Sequence, residues 1–183
     1  MYVVAPGLLG DAINTFKYST NSDEKDKYIR SNAAKFLAGY VLGLPVSKFS
    51  TFGLSNTVEF FQIRPSAGGS RSVEERRSLA ENKFKQADIA CSSIVSISGP
   101  VAQCMSFGQA TASNANDVNT LYELIKAVDP PLSPDKVQDH IRWSAVNAYD
   151  LLNARRQQLD CLTDAFSKNL PLEECIALLE ATL

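Results

Sequence analysis

Ser31, Asn32 and Lys35 occupy positions i, i+1 and i+4 of one continuous run, a spacing that on a helix brings the first and last onto one face. A serine and a lysine so placed can be imagined as a nucleophilic hydroxyl activated by an amine. Simple replacement of other residues explains the pair more cheaply, so hydrolysis by Ser31 and Lys35 is set aside. Asp139 and His140 stand next to each other and serines are plentiful, yet neighbouring residues on a helix point in different directions and no G-x-S-x-G turn is present. His140 is expected to be an exposed helix residue. It is the only histidine, and Cys91, Cys104, Cys161 and Cys175 include no C-x-x-C pair, which argues against a finger-type zinc site. Each cysteine lies in an apolar helical context, so buried free thiols are expected.

The elements that must position these residues are mostly helical. Leu8, Leu9, Ile13 and Phe16 give a short helical spacing after Pro6-Gly7, and residues 1–20 are taken as an N-terminal docking arm. A strong helix is predicted from about Ser22 to Leu42, with Tyr28, Phe36, Leu37 and Tyr40 near helical period and Gly43 and Pro45 as its stop. From 46 to 64 the β-branched and aromatic texture predicts a small antiparallel hairpin. Ser66–Ser70 reads as a loop and Ser72 as a helix start that stays charged to about Lys85. The apolar run Ala87–Met105 should be core, with Pro100 opening a new helix inside it. Asn114 to Asp117 should cap a helix over 118–128, stopped by Asp129-Pro130-Pro131. The longest helix is expected from Pro134 to about Lys168, with Val137, Ile141, Ala145, Tyr149, Leu152, Leu159, Leu162 and Phe166 on its apolar stripe. A last short helix follows Pro171. The expected fold is mainly α: five or six helices packed around one core, plus the hairpin near residues 46–64.

The run Ser31-Asn32-Ala33-Ala34-Lys35 through Leu42-Gly43-Leu44-Pro45-Val46 resembles the H-E-A-G-H helix and its continuation in FtsH-type zinc metallopeptidases, closest to the plastid FtsH-like proteins that lack the ATPase module. The likeness continues weakly through Asn116-Asp117-Val118 and then through Ile141-Arg142-Trp143-Ser144 and Cys175-Ile176-Ala177-Leu178-Leu179. It implies a peptidase-like domain over 21–183. In such a helix two histidines hold zinc and the glutamate between them activates the bound water. Here Ser31 and Lys35 replace the histidines and Asn32 replaces the glutamate. Serine is a poor zinc ligand, lysine repels a dication unless deprotonated, and an amide has no lone pair basic enough to take a proton from water. Asp117 matches the family's third ligand, but one carboxylate cannot hold zinc. By its place near the start of a helix it reads as an acidic cap, with an ion contact to Lys35 across the site as the other reading. No catalytic residue, metal or cofactor is therefore expected.

The chain has 183 residues, 45% of them hydrophobic, with 18 Lys+Arg against 20 Asp+Glu. Such a balance offers no field to gather nucleic acid. The basic residues between 48 and 85 alternate with acids, and Gly68-Gly69 lacks a phosphate-loop pattern. The most apolar stretch, Ile89–Met105, is too short and too rich in serine to span a bilayer. The first residues resemble neither a signal nor a transit peptide, so any leader would lie upstream. Trp143 is expected to anchor the core. Phe49, Phe52, Phe60 and Phe61 exceed what a small hairpin needs for itself, which makes Phe49, Phe52 and Phe61 candidates for a partner surface. The expectation is a non-catalytic pseudo-peptidase. It would serve as a structural or assembly subunit of a larger chloroplast complex, thylakoid-associated or stromal, with a photosynthetic complex as one reasonable host, and would meet any membrane through its protein partners. The alternative is an inactive peptide-binding chaperone or adaptor.

Overall fold

A computed structural model describes residues 22–50, 57–60, 86–87, 89–111 and 115–181. The expected arm over 1–20, the loop at 66–70, the charged helix over 72–85, Phe52 and Phe61 lie outside them. Among the described residues there are six helices and two strands: α1 (Ser22–Val41), β1 (Val46–Ser50), β2 (Thr57–Phe60), α2 (Ala90–Phe107), α3 (Ala115–Lys126), α4 (Pro134–Ala154), α5 (Arg156–Ser167) and α6 (Leu172–Ala181).

Helix α1 starts with Asp23 and Glu24 at its positive end and buries Ile29, Ala33, Phe36 and Leu37, the i, i+4, i+7, i+8 set of an amphipathic helix. Gly43 closes it in the left-handed region at φ +71°. The Leu44 N–H donates to the Gly39 carbonyl at 2.9 Å and the Gly43 N–H to that of Tyr40 at 3.1 Å, so two orphan carbonyls are satisfied by a Schellman turn. The chain then enters the hairpin, where Phe49 opposes Val58 on the inner face and Lys48 opposes Glu59 outside. Phe60 lies over Gly39; a Cβ there would come within 2.1 Å of its ring.

Pro100 does not open a helix. It lies inside one continuous helix, α2. Proline lacks the N–H that would bond the Ser96 carbonyl and costs about 3 kcal/mol in a helix interior. Two circumstances favour the continuous form. Gly99 has no Cβ to clash with the proline ring, and the helix is clasped by α1 and α4, with Ser93, Ser98 and Ala102 wholly buried.

The long helix expected from the sequence is broken at Arg155, which has φ −121° and ψ 36°. The local sequence has neither glycine nor proline, so the break is imposed from outside. Helix α4 packs on α2 while α5 packs on α1, and Arg30 Nη1 reaches Asp160 Oδ1 at 2.5 Å. One straight helix cannot meet both partners. The buried face of α4 is also rotated from the expected stripe: His140, Ser144, Ala148 and Leu152 are inside, whereas Tyr149 is exposed.

The core has a main cluster, centred on Phe36, Leu37, Leu152, Leu159, Leu162 and Phe166, that joins α1, α2, α4, α5, α6 and the hairpin. A second cluster, Ile89, Leu121, Leu124, Ile125 and Val128, joins α2 to α3. All four cysteines are free thiols; Cys175 is buried, Cys91 and Cys161 are half-buried, and Cys104, contrary to expectation, is exposed. No described helix is long and apolar enough to cross a membrane.

Candidate functional site

Helices α1, α2 and α3 converge where Ser31 meets Gly99 and Lys35 meets Asp117. Ser31 and Asn32 are both buried on α1, each 2% exposed, and Ser31 lies against α2. The Asn32 amide nitrogen donates to the Tyr28 carbonyl at 3.1 Å, a bond back along its own helix. Ser31 Oγ packs so closely on Gly99 that a Cβ at that position would lie 2.2 Å from it and 3.2 Å from Asp117 Oδ2. The missing side chain at Gly99 is what lets Ser31 and Asp117 approach the same point of α2.

One turn beyond Ser31, Lys35 Nζ donates to Asp117 Oδ1 at 3.0 Å, with the two side chains 17% and 16% exposed. Of the two readings of Asp117, the contact with Lys35 is the one realised. Helix α3 begins at Ala115, which puts Asp117 inside its first turn rather than at the cap, where the carboxylate still favours the helix dipole.

This set does not fit a zinc ion. The ammonium of Lys35 donates to the one carboxylate and carries no lone pair. Among the described residues no three His, Cys, Asp or Glu side chains come together as metal ligands. Nor does the site suit serine–lysine hydrolysis, which needs a neutral amine aimed at the hydroxyl, whereas this amine is committed to a carboxylate.

The other singled-out residues lie apart. Phe49 is half-buried, with its ring 5.4 Å from that of Phe36 and 5.5 Å from that of Phe166. It therefore belongs to the core more than to a partner surface, because its inward pleat position faces α1 and α5. Outside the ring, the backbone of β1 borders an open groove of about 410 Å³ lined by Val46–Ser50 and by Pro171, Leu172 and Glu173. Among the described residues β1 pairs with β2 alone.

His140 and Trp143 exchange their expected places. His140 is 3% exposed: Nε2 meets Ser93 Oγ at 3.0 Å, and the Gln86 amide nitrogen meets Nδ1 at 3.4 Å. Burial pushes its pKa below the ordinary histidine value. Trp143 is exposed and stacks on the imidazole at 5.6 Å, beside an open, mainly apolar hollow. The four-residue recurrence of His140, Ser144, Ala148 and Leu152 was the sequence signal for that buried face. No protein-family model matches this chain, and no curated protein matches it at a significant level.

Proposed function

We propose that this chain is a non-catalytic pseudo-peptidase of the FtsH type that works as a structural or assembly subunit of a larger, plastid membrane-associated complex. The observation that carries the reading is the ion pair of Lys35 and Asp117. A cation supplied by the chain itself stands against the carboxylate that, in the resembled family, would face zinc. Ser31 and Asn32 are packed beside it as core residues, and the site's geometry serves the joining of three helices. The loss of catalytic groups together with a well-packed remnant supports a role in binding or assembly. The host complex and the plastid location rest on the sequence resemblance.

The groove beside β1 favours a second reading, an inactive peptide-binding chaperone or adaptor. A strand edge next to an open trough can take an extended peptide by backbone pairing.

Affinity recovery of the tagged chain from plastid membranes, with mass spectrometry and metal analysis on the same eluate, separates these outcomes. The subunit reading expects stoichiometric recovery in one large complex without zinc. A broad set of substoichiometric clients would favour the chaperone. Equimolar zinc on a free chain would overturn both.

A further inference from the structure

The stretch Pro131-Leu132-Ser133-Pro134-Asp135-Lys136 holds the only Ser-Pro or Thr-Pro pair in the sequence, with a second proline two residues before the serine and a lysine three residues after it. Leu132 and Val137 pack on the second core cluster. The four residues between them, Ser133 to Lys136, are all exposed. Ser133 is the N-cap of α4, extended at φ −65° and ψ 156°, and its side chain makes no hydrogen bond to the helix it precedes. Serine is favoured at such a position because its hydroxyl accepts from the backbone of the first turn. Here that role is unfilled, and the hydroxyl stands on a solvent-facing residue.

We propose that Ser133 is a phosphorylation site for a proline-directed protein kinase. Each neighbour has a part in the recognition. Pro134 has no N–H, so an enzyme pocket that offers no acceptor there takes Ser-Pro and rejects residues that would bury an unpaired donor. Pro131 fixes its own φ and favours an extended approach to the serine. The Lys136 ammonium supplies a cation for an anionic group of the enzyme. A kinase that reads these positions along an extended substrate requires the first turn of α4 to open. The opening breaks little, because Pro134 lacks an N–H and those of Asp135 and Lys136 have no partner within the helix. The bond it must break runs from the Val137 N–H to the Ser133 carbonyl, 2.9 Å.

In the transfer, Ser133 Oγ attacks the γ-phosphorus of ATP while its proton passes to the base of the kinase. The Oγ–P bond forms, the bond from the γ-phosphorus to the bridging oxygen breaks, and ADP departs with that electron pair. The product places a charge of about −1.5 to −2 near the positive end of α4. Its oxygens can accept from the N–H groups of Asp135 and Lys136, and the Lys136 side chain offers a counter-charge against the like charge of Asp135. The phosphate thus fills the cap that the hydroxyl leaves open and holds the start of α4 more firmly. The Ser133 site owes nothing to the pseudo-peptidase reading.

Incubation of the purified full chain with a cyclin-dependent kinase and magnesium ATP, followed by intact-mass and fragment mass spectrometry, tests the assignment. The expected product carries one phosphoryl group per chain, on Ser133. Ser133→Ala should abolish it and, because no capping bond is lost, should leave thermal unfolding unchanged. Pro134→Ala should slow the labelling by about tenfold or more, the effect of burying one unpaired N–H, and Lys136→Glu should slow it as well. Hydrogen exchange at the Val137 amide should be about two- to fivefold slower in the phosphorylated chain. The chain recovered from its source with phosphatases inhibited should carry the same phosphopeptide. A folded chain that takes no phosphate, takes it at another residue, or is labelled no faster than Pro134→Ala overturns the proposal. So does a source chain in which the peptide is found only unmodified. Exchange at Val137 that is unchanged or faster overturns the capping role.

Discussion

Asp117 has one carboxylate oxygen on Lys35 and the other 3.2 Å from where a Cβ at Gly99 would stand, and its side chain is 16% exposed, so removing the lysine strands a charge in a space poor in water. Lys35→Met should cost about 1–3 kcal/mol, between the values for exposed and buried pairs. Adding Asp117→Asn should return part of that loss, because the stranded charge disappears with it. Urea unfolding of both single variants and the double variant measures the coupling, and strictly additive losses would mean that the pair contributes nothing of its own. Gly99 is a second test of the same junction. Gly99→Ala drives a Cβ to within 2.2 Å of Ser31 Oγ and should destabilise by about 1–3 kcal/mol. In a Ser31→Ala background the closest Ser31 atom is the Cβ, 3.4 Å away, and most of the penalty should vanish. Equal penalties in both backgrounds would place the strain elsewhere.

Among the elements, α1 has the best-defined end. A Cβ at Gly43, where φ is +71°, would meet nothing within 4 Å, so Gly43→Ala should act through the backbone alone. The left-handed penalty of about 1–2 kcal/mol is the expected loss, and Gly43→Asn should recover part of it. Thermal unfolding of the two variants checks the order. That helix was legible because every signal agreed: the acidic first turn, the apolar period, and glycine followed by proline. The hairpin was legible for the same reason, with β-branched and aromatic residues between turn formers. Pro100 and Arg155 depart from expectation because their outcomes are tertiary. A proline survives in α2 because Gly99 precedes it and α1 and α4 enclose it, while the chain breaks at an ordinary arginine because α4 and α5 serve different partners. Within the site, the spacing of Ser31 and Lys35 was legible from helical geometry. That Gly99 would be the floor beneath Ser31 was not, since nothing local ties α1 to α2.

Across the whole molecule, α2 is the shared wall between α1 and α4, and its seam with α4 contains the chain's only histidine. The Gln86 amide nitrogen lies 3.4 Å from Nδ1 of His140 and Ser93 Oγ 3.0 Å from Nε2; a ring that accepts from the Gln86 amide at Nδ1 carries its one proton on Nε2 and donates it to Ser93, an arrangement that suits the neutral ring. Protonation would put a second N–H against the Gln86 donor and a charge into a buried seam, with Asp139 nearby but on the solvent side. Burial accordingly holds the folded-state pKa below the ordinary value of 6.5. The unfolded chain therefore binds this proton more readily. Stability contributed by the neutral ring is complete above about pH 6.5 and declines as pH falls through that value toward the lower folded-state pKa. The Cys175 thiol, which burial and Glu174 push up to about 11, stays out of this window. Urea unfolding at a series of pH values between about 5 and 7.5, where histidine is the side chain that ordinarily titrates, should show stability rising with pH in the wild type. His140→Gln should flatten that rise, because the amide can still bond Ser93 but has no proton to take up. A slope that persists in this variant would locate the acid sensitivity among the carboxylates, and the seam between α2 and α4 would then be indifferent to pH.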